Sequence, residues 1–140
     1  MAFRGTQHGK EKWSLEEKLE YDIKLHEELH LLYCLVTKLA IVCVKMGFPL
    51  IIENPWSTTH YLYKYWCIPY SVLDTDRRDM GDYFKKPTQY WFIGREASHN
   101  FIFEAQTVNP HKQVHLTSNK VDRSMIASEY ANRFIREFIL

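Results

Sequence analysis

Leu50-Ile51-Ile52-Glu53-Asn54-Pro55 is the stretch on which the reading of this sequence turns. Three consecutive apolar residues leave neither side of a strand polar, as expected for a strand covered on both faces in the middle of a parallel sheet. The run ends in a carboxylate, an amide and a chain-turning proline. Just upstream, Gly47 and Pro49 mark the stop of a helix. That helix opens at Ser14-Leu15-Glu16-Glu17, where Ser14 and Glu17 have the spacing of a capping box. No glycine or proline lies between, so the spacing predicts one long helix over 14–46. Leu25, Leu29, Leu32, Val36, Leu39 and Cys43 share its expected core face. Glu16, Glu20, Lys24, Glu27, Lys38 and Lys45 lie largely away from that face. The second half of the helix is apolar nearly all round, which predicts burial between layers. A helix feeding a buried strand with a polar end is half of a doubly wound α/β unit. In such sheets chemistry gathers at the carboxyl ends of the strands.

Downstream, residues 57–66 suggest a short helix and Ile68 to Leu73 a strand. Residues 74–88 read as a charged loop, and Gln89 to Gly94 as a further strand that Asn100 to Phe103 could pair with as a hairpin. Residues 105–122 are polar and irregular. A last helix begins at Ser124 or Ser128, with Ile126, Tyr130, Phe134 and Phe138 on one side. The organisation expected is a flexible arm over 1–12 and a single α/β domain over 13–140.

Composition narrows the function classes. The 140 residues are 46% hydrophobic and 25% charged, as in an ordinary globular domain. The net charge of +1 predicts neither nucleic-acid nor membrane binding in bulk, so any nucleic-acid contact must come from a local basic patch. Aromatic residues cluster at Tyr61, Tyr63, Tyr65 and Trp66, and again at Tyr83, Phe84, Tyr90, Trp91 and Phe92. Such rings usually fill a core and less often stack on bases. Three cysteines, Cys34, Cys43 and Cys67, form no CxxC pair, so they read as buried or inert thiols of a reducing cytosol. The first residues have no apolar stretch of the kind found in a signal peptide. Lys38 and Lys45 interrupt the apolar run from Leu29 to Met46, which argues for an amphipathic helix and against a membrane span.

Three patterns carry potential chemistry. His26-Glu27-Glu28-Leu29-His30 fits H-E-x-x-H, in which two histidines one helical turn apart could share a zinc ion. No extended pattern supplies a third ligand after His30, and seven histidines make a chance match unremarkable. Glu53 and Asn54 form a polar strand end that can face a cleft, or that simply caps a neighbouring helix. The segment from Gly81 to Gly94 joins a glycine turn, Lys85, Lys86, Pro87 and Thr88 to a strand, with Arg77 and Arg78 just before it. Lysines at the mouth of a sheet could meet phosphate oxygens. Taken alone, such a charge run reads as a solvated loop.

Order and spacing tie these segments together. A buried strand ending Glu53-Asn54-Pro55, then Gly81, Lys85-Lys86-Pro87-Thr88 and a strand, then Arg123-Ser124-Met125-Ile126 and a helix: the series resembles the cytosine-5 DNA methyltransferases, especially their phage branch. The resemblance spans roughly residues 14–140. It implies a partial doubly wound, Rossmann-like methyltransferase sheet with a long N-terminal helix and a C-terminal helix. It implies that Glu53 occupies the position that holds the ring-nitrogen and amino edge of a flipped cytosine. It implies nucleic-acid contacts near Asn54, Arg77, Arg78, Lys85, Lys86 and Thr88, and it matches Ser124 to the start of the family's last helix. The arginine-rich form of the second motif is absent, so its individual arginine roles do not carry over.

The family's glycine-rich turn for S-adenosylmethionine and its Pro-Cys nucleophile have no counterpart in residues 1–140. Cytosine C5 attacks a methyl donor only after a thiolate adds to C6, with the base turned out of the duplex. The expectation is therefore a truncated methyltransferase-like protein of phage or prophage, cytoplasmic in a bacterial host, that is not catalytic alone and takes no cofactor. It would bind DNA or act as one half of a split enzyme, either as a homo-oligomer or with a complementary chain, and away from membranes. Two other classes stand beside it. One is a counter-defence protein that binds and inhibits a host nuclease; the other is a zinc peptidase built on His26 and His30.

Overall fold

A computed structural model describes residues 12–100 and 124–140. The expected arm, apart from Lys12, the hairpin partner beyond Asn100 and the polar stretch 105–122 lie outside those residues. Helix α1 (Leu15–Met46) runs for 32 residues. Ser14 Oγ accepts from the Glu17 amide and the Glu17 carboxylate accepts from the Ser14 amide, which completes the capping box. Gly47 ends the helix in the left-handed region at φ 71°. Strand β1 (Leu50–Pro55), helix α2 (Tyr61–Tyr65), strand β2 (Val72–Asp74), a 3-10 turn (Arg77–Met80), strand β3 (Thr88–Ile93) and helix α3 (Ser128–Phe134) follow. A π-helical turn, Ile135–Ile139, closes the chain. The class is mixed α/β, with a long N-terminal helix, a small sheet and a C-terminal helix.

The sheet has the order β1-β3-β2, and both pairings are antiparallel. This corrects the expectation of a parallel sheet for the described strands. The reason lies in the connection: residues 75–87 hold a single 3-10 turn and no crossover helix. A parallel neighbour is usually reached through a crossover helix, whereas this link holds only a 3-10 turn and leads the chain back beside β2. Because β3 is antiparallel to both neighbours, β1 and β2 run parallel to each other. In the register, Pro55 and Asp74 both face Thr88, so the carboxyl ends of β1 and β2 meet the amino end of β3 on one rim.

All six residues of β3 are buried, and their alternation divides the core. Trp91 and Ile93 pack with Leu62 and Trp66 of the α2 region and Ala40 of α1. Tyr90 and Phe92 pack with Val72, Ala127, Tyr130 and Phe134. The sheet is thus sandwiched between α1 with α2 on one face and α3 on the other. Trp66 Nε1 donates to Thr37 Oγ1 at 3.2 Å and ties α2 to α1.

Several expectations about burial need correction. Of the predicted core face of α1, Leu29 is buried and Leu25, Val36 and Cys43 are half-buried, but Leu32 and Leu39 are exposed. The sheet is too short to cover the helix: 32 residues span about 48 Å, against about 20 Å for a six-residue strand. By length and composition α1 could cross a bilayer, yet that test is also met by the core helix of a soluble protein. Ile126 precedes α3 and is exposed, and Ala127 is the buried residue there. Cys67 is exposed, unlike the half-buried Cys34 and Cys43, and all three thiols are free.

Candidate nucleic-acid interface

The rim shared by the ends of β1 and β2 and the start of β3 gathers most of the residues singled out above. Strand alternation sends neighbours to opposite faces. Glu53 lies across from Tyr90, on the α3 side, and Asn54 lies across from Gln89, on the α2 side.

On the α3 side the rim is organised by Arg77, which is completely buried. Its Nη2 is ion-paired with Asp82 Oδ2, and its Nη1 stands 3.7 Å from Glu53 Oε1. The guanidinium also lies over the Tyr130 ring, 4.5 Å from the centroid. Nε and Nη1 meet no hydrogen-bond acceptor among the described residues. Asp82 is held in turn by the Tyr83 amide at 2.7 Å and, at longer range, the Ala127 amide. These contacts depend on a sharp turn at Gly81, whose φ is 94°. A Cβ there would come within 3.1 Å of Glu129 Cβ, so glycine also lets the turn approach α3 closely.

Three more groups extend this network. Tyr130 donates its hydroxyl proton to Asp74 Oδ2 at 2.9 Å, and the hydroxyls of Tyr90 and Tyr130 lie 2.7 Å apart. Burial pushes the Asp74 carboxyl above its usual range, although the Tyr130 hydroxyl and Arg77 pull it back. Burial also raises both phenols, Tyr90 to about 12, so they remain protonated donors at neutral pH. Glu53 is the half-open member, with a side chain 36% exposed. A carboxylate at the rim of the sheet thus stands beside a buried cation that is itself held by an ion pair and stacked on a phenol ring.

On the other side of the rim, Asn54 is buried and its Nδ2 lies 3.0 Å from His60 Nδ1. Burial lowers the His60 pKa below the ordinary imidazole value. Gln89 is also fully buried, and neither polar atom of its side-chain amide has a hydrogen-bond partner among the described residues.

The predicted phosphate contacts divide sharply. Lys85 is exposed and Lys86 half-buried just before β3, on the rim that carries Glu53. Arg77 is sealed in the interior and Arg78 is held by both oxygens of Asp76. That pairing raises the Arg78 pKa and lowers that of Asp76. Thr88 is fully buried and its hydroxyl donates to the Lys86 carbonyl. Arg77 and Thr88 are therefore structural supports in this geometry, and only the two lysines present unpaired cationic side chains among the predicted cations. Ser124 is exposed ahead of α3.

The H-E-x-x-H pattern lies elsewhere, on the exposed first half of α1. His26 is 3.9 Å from Asp22, and His30 Nε2 is 3.6 Å from Cys34 Sγ. No third ligand converges on them among the described residues. Sequence reasoning missed the buried roles of Asp74, Asp82 and Tyr130. Asp82 next to the Gly81 turn was the available signal, and Tyr130 gave no sign beyond its place on an apolar helix face.

No family model, curated protein or solved structure matches this chain. The geometry itself carries the functional argument. A carboxylate acceptor at the edge, backed by a buried guanidinium, and two lysines on the same rim can meet a polar group attached to a phosphate chain.

Proposed function

We propose that this chain is a DNA cytosine methyltransferase-like domain of phage or prophage that binds nucleic acid through the β1–β3 rim and is not catalytic alone. The observation that carries the reading is the shared rim: Glu53 and Asn54 stand at the carboxyl end of β1, beside the start of β3, which Lys85 and Lys86 lead into.

The chemistry of the rim agrees with this reading. The pairing edge of cytosine offers an amino donor, a ring-nitrogen acceptor and a carbonyl acceptor, and an extruded base is read along that edge. A carboxyl group can accept from the amino group and, once protonated, donate to the ring nitrogen. Arg77, buried beneath the rim, stands 3.7 Å from that carboxyl group and orients Glu53. Lys85 and Lys86 supply the phosphate contacts, which fix position without reading sequence. The nucleophilic thiol and the methyl donor are left to polypeptide outside residues 1–140. That makes the domain either one half of a split enzyme or a DNA-binding derivative of the fold, acting in the cytoplasm of a bacterial host. Alone it neither binds S-adenosylmethionine tightly nor methylates DNA.

The testing experiment is filter binding of single- and double-stranded DNA at low salt. Lys85→Ala with Lys86→Ala should weaken retention and flatten its salt dependence, since each neutralised phosphate adds to the slope. Glu53→Gln should leave affinity for paired duplex nearly unchanged. Absence of retention by the wild-type chain would refute the reading.

One observation favours a second reading, a counter-defence protein that occupies a host nuclease. Tyr63, Tyr65 and Tyr70 are all exposed, and Tyr63 stacks on Tyr70 with centroids 6.4 Å apart. Exposed tyrosines commonly anchor protein interfaces. Nuclease-resistant capture of a host nuclease, lost in Tyr63→Ala with Tyr65→Ala, would replace the DNA reading by this one.

A further inference from the structure

The rim that carries Glu53, Lys85 and Lys86 also presents an indole. Trp56 directly follows Glu53-Asn54-Pro55 and is 41% exposed. Of the four tryptophans, Trp66 and Trp91 are buried and Trp13 is half-buried, so Trp56 is the exposed one. The other three each lie against a further aromatic ring, whereas no ring neighbour holds Trp56 among the described residues. A tryptophan is a large apolar surface that a folded chain mostly buries.

The backbone around this indole is pinned. The Trp56 amide donates to the Pro87 carbonyl at 2.8 Å, which carries the β1–β3 register one pair past Pro55 and Thr88. The Lys86 carbonyl accepts from the Thr88 hydroxyl at 2.8 Å, and the Lys85 carbonyl accepts from the Arg77 amide at 3.0 Å. The carbonyls from Lys85 to Pro87 are thus held by the sheet and by the Arg77 turn. Lys86 is next to Pro87, and consecutive α-carbons stand about 3.8 Å apart. Trp56 and the two lysines therefore start from adjoining points of one fixed rim. Asp76, whose charge reaches Lys85, is already bonded through both oxygens to Arg78.

We propose that Trp56 is a stacking platform for an unpaired base of single-stranded DNA whose backbone Lys85 and Lys86 hold. The inference rests on the nucleic-acid reading of the rim and adds a strand preference to it. An aromatic ring beside cations matches a polymer in which flat bases alternate with phosphates. A duplex keeps its base faces inside the stack and offers such a ring little besides its backbone. Every base has a π-face, so stacking tolerates any sequence. Trp56 then selects the single strand, and the contact with a base edge is left to Glu53.

The test is fluorescence anisotropy of the full chain at low salt with three labelled probes: an oligothymidylate, a strand of the same length made of abasic sites, and a duplex. The wild type should prefer the oligothymidylate to the abasic strand roughly tenfold, the scale of one base stacked on an aromatic ring. It should also bind the oligothymidylate more tightly than the duplex. Trp56→Ala should erase the preference over the abasic strand and leave abasic binding unchanged, while Trp56→Phe keeps much of it. Lys85→Ala with Lys86→Ala should weaken both single strands by a similar factor. Trp56 is exposed, so the melting of Trp56→Ala should match the wild type, which separates lost stacking from lost folding. Equal wild-type affinity for the oligothymidylate and the abasic strand would overturn the proposal and leave the phosphate contacts standing. A preference that survives Trp56→Ala would overturn it too. Absence of binding to all three probes would remove the nucleic-acid reading and this inference with it.

Discussion

The two helices that flank the sheet use apolar residues in opposite ways. Helix α3 is seven residues long, yet Tyr130 and Phe134 are almost completely buried. Helix α1 is 32 residues long and much more apolar in its second half, yet only Leu29 and Ala40 are buried. Composition does not explain the difference; position does. Phe134 lies against Tyr90 with ring centroids 4.3 Å apart and close to Phe92, over the centre of the strand buried on both faces. Most of α1 extends past a sheet less than half its length. The short helix is part of the core of this domain, whereas the long helix uses one stripe for that core and leaves another free.

The largest expected effect lies beneath α3. Arg77→Ala leaves Asp82 as a buried charge without its partner and should cost about 3–5 kcal/mol in urea unfolding. A loss below 1 kcal/mol would mean that the ion pair is not buried as described. Phe134→Ala should cost about as much, 3–5 kcal/mol, by opening a cavity against Tyr90. Leu35→Ala on α1 provides the contrast: measured on the monomer, it should stay within about 0.5 kcal/mol, as exposed positions do. Equal costs for these two substitutions would erase the distinction between the helices.

Smaller effects sharpen the same contrast. Tyr130→Phe removes the hydroxyl that links Tyr90 to Asp74 and should cost about 1–3 kcal/mol. On the α2 side, burial keeps His60 neutral to a lower pH than in the unfolded chain. The unfolded state then binds the extra proton first, so this stability is present above the ordinary imidazole value of 6.5 and is lost as pH falls. The melting temperature should therefore drop between neutral and mildly acidic pH, and His60→Gln should shrink the drop. An unchanged slope in that variant would remove His60 from the account.

The capping box at Ser14 and Glu17, the stop at Gly47 and the strand from Leu50 were legible because each is written in local chemistry. The direction of β3 was not. It depends on whether residues 75–87 hold a crossover helix, and a charged segment with one glycine turn looks like any solvated loop. The fate of Arg77 and Arg78 was hidden for the same reason. Adjacent arginines look alike in sequence, but the turn at Gly81 folds Asp82 onto one while Asp76 holds the other at the surface. Glu53, Asn54, Lys85 and Lys86 come to one rim because an antiparallel strand starts where its neighbour ends, and that direction is not written in any of the four residues. The exposed half of α1 was misjudged because periodicity shows an apolar face without showing how far the sheet extends beneath it.

The central functional claim is that Glu53 reads a cytosine while Lys85 and Lys86 hold its backbone. Fluorescence anisotropy with two labelled duplexes, identical except that one cytosine is paired or mispaired, tests it most directly. Mispairing lowers the cost of turning a base out of the stack. The account predicts tighter binding to the mispaired duplex, a preference erased by Glu53→Gln, and a similar weakening on both duplexes for Lys85→Ala with Lys86→Ala. Equal affinity of the wild-type chain for the two duplexes, or no binding to either at low salt, would contradict it.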